Sequence, residues 1–327
     1  MTLILNSVEI KECVQFNAEL IPIIEDAFKS LSLGKTVMPP ILRLDIEKYH
    51  GESDVKAAYI EGLDSFAVKV ASGFFNNPKL GLSSSNGLMI LLDSQTGVIK
   101  SVLLDKGYLT DVRTAIAGAI ASKYLSNPES STVAIIGTGI QARMQLEALT
   151  LVRDIKNVNV WSRDIKKTHA YIEDVSKNIN LNFTAFDNTN EVVNNADILI
   201  TTTPSKKPLV DYSSLPKGIH ITAMGSDAEE KNELEPDIIK NCDVYIPDSQ
   251  AQTSILGELN HAIKNNLIKS DMTFNDLGQI IINPELGRKN TQDITVADLT
   301  GTGVQDTAIA RFAFSTAKEK KLGTVIK

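Results

Sequence analysis

The sequence has only two cysteines, Cys13 and Cys242, among its 327 residues. They form neither a CxxC pair nor a cluster with histidine, so a structural zinc site of the usual spacing is excluded and two reduced thiols are favoured over a disulfide. Histidine is scarce as well, and no metal-ligand spacing links the four residues of this type: His50, His169, His220 and His261. We therefore expect no bound metal.

Long hydrophobic runs and an excess of positive charge are also missing. No apolar stretch approaches the ~18 residues that span a bilayer, and residues 1–12 lack the pattern of a signal peptide. The net charge of −7 argues against nucleic acid or an anionic membrane as the main partner. We expect a soluble, cytoplasmic protein that binds a small molecule and has two domains or one large one, since ~100–200 residues per domain is usual.

The pattern of predicted elements changes near residue 130. Before it, strands separated by turns are predicted at residues 66–70, 88–92 and 98–104. After it, strands and helices alternate, with strands at 132–136, 158–161, 198–202, 220–224 and 244–246, and helices at 140–152 and 165–179. This alternation predicts an α/β fold with a Rossmann-type doubly wound parallel sheet beside a smaller α+β domain.

Two further helices are predicted outside this alternation. An alanine-rich helix with Thr110 as its N-cap joins the two regions, and a helix at residues 306–321 follows the last strand.

The most informative local motif is a glycine loop between a predicted strand and a predicted helix. Gly137 permits the tight turn, Gly139 allows close approach of a pyrophosphate, and Ala142 takes the third small position. Amides at the start of the helix then face the phosphates, assisted by the helix dipole. We predict a dinucleotide site whose loop residues are Gly137, Thr138, Gly139, Ile140 and Gln141.

The end of the second strand bears on the choice of nucleotide. An acid about 20 residues after the glycines would hold the ribose hydroxyls of NAD. Here Ser162 and Arg163 occupy the tip of the strand, which favours the 2′-phosphate of NADP, while Asp164 keeps NAD open. The cofactor prediction is therefore NAD(P)(H) with a lean to NADP(H). The residues that follow later strands complete the predicted cofactor site: Thr202, Thr203, Met224, Gly225, Ser226, Asp298 and Gly303.

Three cations and one acid are candidates for substrate chemistry. Lys69 lies within an apolar strand, where a lysine is costly to bury unless it meets an anion. Arg43 and Arg113 carry guanidinium forks that match carboxylates. Asp227 follows a strand and a glycine turn, where it could exchange a proton with the substrate or hold an ammonium group, or instead cap a helix that begins near Glu229.

Taken together, these motifs resemble the ornithine cyclodeaminase/mu-crystallin family over nearly the whole chain. The resemblance is carried by four segments: residues 110–115, residues 137–142, Gly225-Ser226-Asp227 with Lys231 and Glu233-Leu234, and residues 303–306. It implies a homodimer in which residues 1–118 and 308–327 form the substrate and dimerisation domain. Residues 119–307 then form the dinucleotide domain.

The same resemblance implies roles for individual residues. Arg43, Lys69 and Arg113 would grip a substrate carboxylate, and Lys69 and Asp227 would be catalytic. Arg113 and Thr114 would also approach the cofactor phosphates. Members of the family act at the α-carbon of amino or imino acids, so the lead prediction is an NAD(P)H-dependent imine reductase or amino acid dehydrogenase.

Two alternatives remain open at this point. One is an ornithine cyclodeaminase that recycles NAD, and the other is a mu-crystallin-like ketimine reductase or NADP-binding storage protein. Lys56 stands where the family's cyclisers carry a glutamate, and Ala228 and Glu229 replace their Cys-Pro. A cation at Lys56 would repel the distal ammonium of ornithine and attract a second carboxylate, as in iminosuccinate.

Overall fold

A computed structural model describes residues 1–327 and contains fifteen strands and eleven α-helices. The first part of the chain forms β1 (Thr2–Asn6), α1 (Ser7–Cys13), α2 (Leu20–Ser32), β2 (Thr36–Val37), β3 (Leu42–Ile46), β4 (Gly51–Ile60), β5 (Ser65–Phe74), β6 (Ser85–Asp93), β7 (Ile99–Leu104) and α3 (Tyr108–Leu125).

The remainder begins with β8 (Thr132–Ile136), α4 (Ile140–Thr150), β9 (Asn157–Trp161), α5 (Ile165–Val175), β10 (Asn182–Phe186), α6 (Thr189–Val192), β11 (Ile198–Thr201) and β12 (His220–Ala223). It ends with α7 (Pro236–Asn241), β13 (Val244–Pro247), α8 (Gln250–Thr253), α9 (Glu258–Lys264), α10 (Leu277–Ile282), β14 (Thr295–Asp298), α11 (Gly303–Lys320) and β15 (Thr324–Ile326).

The chain divides into two compact units. Unit 1 is Met1–Arg113 with Thr302–Lys327, and unit 2 is Thr114–Gly301. These divisions fall five and six residues before the boundaries expected from the sequence at 118 and 307.

Unit 1 is built on an eight-stranded sheet. Its order is β15-β1-β7-β6-β5-β4-β2, and β3 also pairs with β4. The pairings are antiparallel except that between β1 and β7. In this register Lys56 on β4 stands opposite Lys69 on β5, so the two side chains share a sheet face. Helix α11 packs on β4 and β5.

Unit 2 contains a seven-stranded parallel sheet in the order β10-β9-β8-β11-β12-β14-β13. The chain proceeds outward from β8 through β9 to β10, then resumes on the other side of β8 with β11. Ligands bind beyond the carboxyl ends of strands at such a reversal. The strands are buried on both faces, as in β8, where Ala134 and Val133 belong to different apolar clusters. This confirms the predicted fold class.

One predicted helix start is wrong. Helix α3 begins at Tyr108, so Thr110 lies inside its first turn. The Asp105 carboxylate accepts a hydrogen bond from the Leu109 amide at 2.8 Å and supplies the contact expected of Thr110. No helix of the protein combines the length and apolar character required to cross a membrane.

Candidate active site

The predicted phosphate loop joins β8 to α4 in unit 2. Gly137 has φ of 121°, and a Cβ there would lie 2.5 Å from Thr202 Oγ1, so only glycine fits. At Gly139 a Cβ would meet no atom within 4 Å, which leaves open space over the start of the eleven-residue helix. No side chain caps the first amides of α4. The loop therefore fits a pyrophosphate.

Two carbonyl oxygens of this loop accept hydrogen bonds from a side chain of α4. Arg143 donates from Nη1 to the carbonyl oxygens of Thr138 and Gly139 at 2.5 and 3.1 Å. Its Nε donates to Asp174 at 3.2 Å. In the same helix, Gln145 donates to the carbonyl of Thr114 and to the side chain of Gln141, at 3.1 and 3.4 Å.

The tip of β9 presents one cation to solvent. Ser162 Oγ contacts the Asp164 carbonyl and Thr168 Oγ1 at 2.9 Å each. Asp164 caps α5 by accepting from the Lys166 amide at 3.0 Å. Arg163 is exposed and forms no hydrogen bond or ion pair. Asp164, which could otherwise hold the ribose hydroxyls of NAD, is therefore engaged in capping α5.

The ends of β11 and β12 lie side by side beyond the phosphate loop. Thr202 donates from its amide to the Ile136 carbonyl at 2.9 Å, which places it beside Gly137. The Met224 amide donates to the Thr201 carbonyl at 3.0 Å, and Met224 is buried. Thr202, Thr203, Met224, Gly225 and Ser226 are therefore neighbours at one edge of the parallel sheet.

Asp227 follows this edge and has a fixed partner. Lys231 Nζ donates to its Oδ1 at 2.7 Å, and the lysine side chain is 8% exposed while that of Asp227 is 44% exposed. The Lys231 carbonyl in turn accepts from Ser226 Oγ at 2.5 Å and contacts His261 Nε2 at 2.8 Å. No helix begins near Glu229, so the alternative that Asp227 is a helix cap is wrong. The carboxylate is both held in place and accessible.

In unit 1, a buried charge cluster forms between the sheet and the start of α11. Asp306 lies 2.9 Å from Lys69 Nζ and accepts from Arg113 Nε at 2.8 Å. These three side chains are at most 4% exposed. Although burial opposes it, Arg113 and Lys69 hold the pKa of Asp306 below its usual value.

Lys69 sits in a positive environment within this cluster. Its pKa is lowered to about 7, chiefly by burial, while Arg113 and Lys56 act in the same direction and Asp306 opposes them. Lys56 is itself buried at 7% exposure. Asp105 is close enough to be influenced by Lys69, but burial raises the pKa of its carboxyl. A carboxylate arriving beside Lys69 would favour the charged form of the amine.

Arg43, the third predicted clamp residue, lies at the edge of the same sheet. It stands opposite Asp54, two residues along β4 from Lys56. Its guanidinium contacts Glu52 at 2.7 Å and Asp45 at 3.0 Å, with Asp54 at 3.8 Å. Three acids therefore surround Arg43, whereas Lys69 and Arg113 share a single acid, Asp306.

Two of the predicted cofactor residues have internal contacts. Asp298 accepts from Tyr245 Oη at 2.7 Å and from the Leu259 amide at 3.1 Å, and burial raises the pKa of its carboxyl to about 7. Gly303 opens α11 in unit 1, where a Cβ would lie 2.6 Å from the Ala57 carbonyl oxygen. Their roles toward the cofactor remain predictions.

Sequence comparison assigns the chain to a family. The model of the ornithine cyclodeaminase/mu-crystallin family matches residues 1–321. The chain belongs to the ornithine cyclodeaminase/mu-crystallin family. This confirms the family predicted from the motifs.

Relatives within the ornithine cyclodeaminase/mu-crystallin family align along their full length. An uncharacterised cyclodeaminase of Sinorhizobium fredii is 50% identical and aligns over 99% of this chain and 98% of the relative. Alanine dehydrogenase of Archaeoglobus fulgidus is 34% identical over 100% and 98%. Delta(1)-pyrroline-2-carboxylate reductase of Bacillus thuringiensis is 31% identical over 99% of each.

Solved structures of related proteins have the same fold. Delta(1)-pyrroline-2-carboxylate reductase of Thermococcus litoralis, in complex with NADH and L-proline, has a TM-score of 0.92 at 28% identity and covers 99% of this chain and 100% of its own. An archaeal alanine dehydrogenase dimer with bound NAD has a TM-score of 0.91 at 33% identity, covering 100% and 99%. Iminosuccinate reductase of Paracoccus denitrificans with NAD⁺ has a TM-score of 0.89 at 27% identity, also covering 100% and 99%.

The contacts of three residues of this family member are visible only in the structure. Asp306 organises the cation cluster, Lys231 holds Asp227, and Glu233 contacts the ends of β11 and β12. All three lie in the segments that carried the family resemblance. The two cations that Asp306 contacts are distant along the chain, whereas Lys231 lies four residues from Asp227 and Glu233 lies eight residues from Gly225.

Proposed function

We propose that the protein is an NAD(P)H-dependent imine reductase or amino acid dehydrogenase, which transfers hydride at the α-carbon of a small 2-imino or L-amino acid. The observation that carries this proposal is the buried cluster of Lys69 and Arg113 around Asp306, with Lys56 beside it. Such a cluster suits a carboxylate ligand. The glycine loop of unit 2 suits the dinucleotide.

The chain's own residues divide the work of the proposed reaction. Lys69 and Arg113 bind the α-carboxylate and so orient the C=N bond, which contributes through proximity. NAD(P)H, when bound, supplies the hydride. The nitrogen of the C=N bond gains a proton in this reduction, and Asp227 would hold or exchange that proton. In the oxidative direction the same carboxylate accepts the proton that leaves the nitrogen.

The buried position of Lys56 refines the proposed substrate. Its ammonium group stands in register opposite Lys69, and its charge is felt by both Lys69 and Asp306. A second carboxylate on the substrate would be attracted there, whereas the distal ammonium of ornithine would be repelled. We propose a dicarboxylic 2-imino acid such as iminosuccinate as a substrate. This disfavours cyclodeamination, despite the description of the relative from Sinorhizobium fredii.

The proposed cofactor preference rests on the tip of β9. Arg163 is exposed and unengaged, while Asp164 caps α5. An arginine fork suits the 2′-phosphate of NADP(H). The three structural relatives described above contain NAD or NADH. We therefore propose that the chain accepts both NADH and NADPH and, because of Arg163, favours the phosphorylated form.

A homodimer is the proposed assembly. The face of the unit 1 sheet that faces away from Lys69 carries an apolar row formed by Leu42, Val55, Val70 and Leu88. Leu42 is 54% exposed and the other three are only partly buried. Association of a second copy would cover this row, and the related archaeal alanine dehydrogenase is a dimer. Molar mass from light scattering tests this, with Val70→Asp expected to yield monomers.

The decisive experiment for the reaction follows absorbance at 340 nm. The protein is incubated with NADH or NADPH, ammonia and a panel of 2-oxo acids that includes pyruvate and oxaloacetate. We expect cofactor oxidation, and we expect Asp227→Asn to abolish it while nucleotide binding persists. No oxidation with any acid, together with release of proline and ammonia from ornithine at catalytic NAD, would establish the cyclodeaminase instead. Tight NADP binding without any turnover would support a binding or storage protein.

A further inference from the structure

Glu233 is a fully buried acid that the proposed reaction does not use. Its exposure is 0%, and it lies on the segment that follows Asp227. Burial raises the pKa of its carboxyl to about 7 against the effect of several hydrogen bonds. A buried carboxyl group is costly, so its contacts need an explanation.

The carboxyl of Glu233 bridges two backbone segments. Oε1 accepts from the Thr203 amide at 2.5 Å, and Oε2 accepts from the Gly225 amide at 2.8 Å. Thr203 follows β11 and Gly225 follows β12, and these strands are adjacent and parallel. The side chain therefore joins the carboxyl ends of two neighbouring strands.

The two segments are also packed too closely to accommodate a side chain at Gly225. A Cβ added at Gly225 would overlap the Thr203 carbonyl oxygen and Glu233 Oε2. Absence of a side chain at Gly225 is thus what allows the carboxyl group to reach both amides. The bridge is a specific fit between one glycine and one acid.

Glu233 is itself held by a second buried acid. The Glu233 amide donates to Glu258 Oε1 at 2.9 Å, and Asn232 Nδ2 donates to Glu258 Oε2 at 2.6 Å. The Glu233 carbonyl accepts from the Leu209 amide at 2.7 Å. Both the backbone and the side chain of Glu233 are therefore fixed before any ligand binds.

We propose that Glu233 is a positioning residue that fixes the part of the dinucleotide site used by the nicotinamide end. This inference rests on the proposed function. In a doubly wound sheet, the phosphate loop after β8 serves the pyrophosphate, and the strands beyond the reversal serve the second mononucleotide half. By joining Thr203 to Gly225, Glu233 fixes the position of the backbone from which Asp227 extends.

The test compares two ligands that share all but the dihydronicotinamide ring. Binding of NADH and of ADP-ribose is measured by calorimetry for the wild type and for Glu233→Gln. The glutamine amide nitrogen cannot accept either hydrogen bond, so one contact is lost and a donor faces a donor. We expect NADH to bind about tenfold more weakly, ADP-ribose to stay within about twofold, and kcat to fall more than KM for the imino acid rises.

A matched control is available at the opposite edge of the same sheet. Asp197 Oδ2 accepts from the amides of Ser131 and Thr132 at 2.8 and 2.9 Å, and so joins the beginnings of β8 and β11. Asp197→Ala removes this bridge outside the proposed site. It should lower thermal stability without changing the ratio of NADH to ADP-ribose affinity.

The outcomes separate this inference from the proposed function. An unchanged affinity ratio in Glu233→Gln, or an equal change in Asp197→Ala, would overturn the inference alone. A wild-type protein that binds neither ligand would overturn the proposed function and the inference with it. If Glu233→Gln does not fold, Glu233→Asp shortens the same side chain so that it cannot reach both amides. It must show the same selective loss of NADH affinity for the inference to stand.

Discussion

The charge state of Lys69 leads to a quantitative prediction about stability. Lys69 is buried beside Arg113 and Lys56, and its pKa is lowered to about 7 from 10.5, first by burial and then by these two cations. Between these values the unfolded chain binds a proton that the folded protein has released. Stability should therefore rise with pH in this window, by up to about 1.4 kcal/mol per pH unit from this group. Below about pH 7 both states are protonated and the contribution is flat.

The variant Lys69→Met lacks this proton and keeps the contact of Arg113 with Asp306 at 2.8 Å. Its free energy of unfolding should depend less on pH than that of the wild type. From pH 7.5 to 9.0 the wild type should gain about 2 kcal/mol relative to the variant. Turnover should be lost in the variant, because the carboxylate contact is removed.

The assay is urea unfolding of the ligand-free protein at pH 7.5, 8.25 and 9.0 and constant ionic strength. The control is Lys79→Met, which removes an exposed lysine of the same unit and should leave the pH dependence unchanged. Parallel pH curves for Lys69→Met and the wild type would refute the reasoning, since they would show that Lys69 keeps its charge when buried.

Three further predictions concern other positions. Gly137→Ala should abolish dinucleotide binding and destabilise unit 2 by about 1–3 kcal/mol, measured by calorimetry and thermal unfolding, because φ of 121° and Thr202 leave no room for Cβ. Arg163→Ala should weaken NADPH more than NADH in fluorescence titrations, and equal effects would contradict the role of this arginine. Lys56→Met should lower kcat/KM for oxaloacetate with ammonia at least about tenfold, a loss typical of one charge-assisted contact, but leave pyruvate nearly unaffected. An equal loss for both acids would argue against a second carboxylate site.

Local sequence patterns predicted much of unit 2. The strand at 132–136 agrees with β8, and those at 158–161 and 198–202 agree with β9 and β11 within one residue. The reason is that parallel strands buried on both faces read as short apolar runs between turn signals. The phosphate loop was equally predictable from the sequence, because Gly137 and Gly139 act through backbone geometry that neighbouring residues already define.

The starts of helices and the partners of charged side chains were harder to predict from the sequence. Thr110 looked like an N-cap, but Asp105 made the decisive contact with α3. The sequence indicated that Lys69 needed an anion without showing that Asp306, 237 residues later, would stand beside it. Arg43 was predicted from its guanidinium and from the family resemblance, and the acids on β3 and β4 that surround it followed from strand pairing.

The sequence by itself determined the family, the doubly wound sheet and the glycine loop, because each is specified by residues close together along the chain. Only the tertiary structure decided that Asp306 would join Lys69 and Arg113, that Lys231 would hold Asp227, and that Glu233 would bridge Thr203 and Gly225. The first contact depends on the packing of α11 on the sheet, the second on the turn that returns Lys231 to Asp227, and the third on the pairing of β11 with β12. Charges become paired, and pKa values shift, only when folding brings distant side chains together and removes them from water.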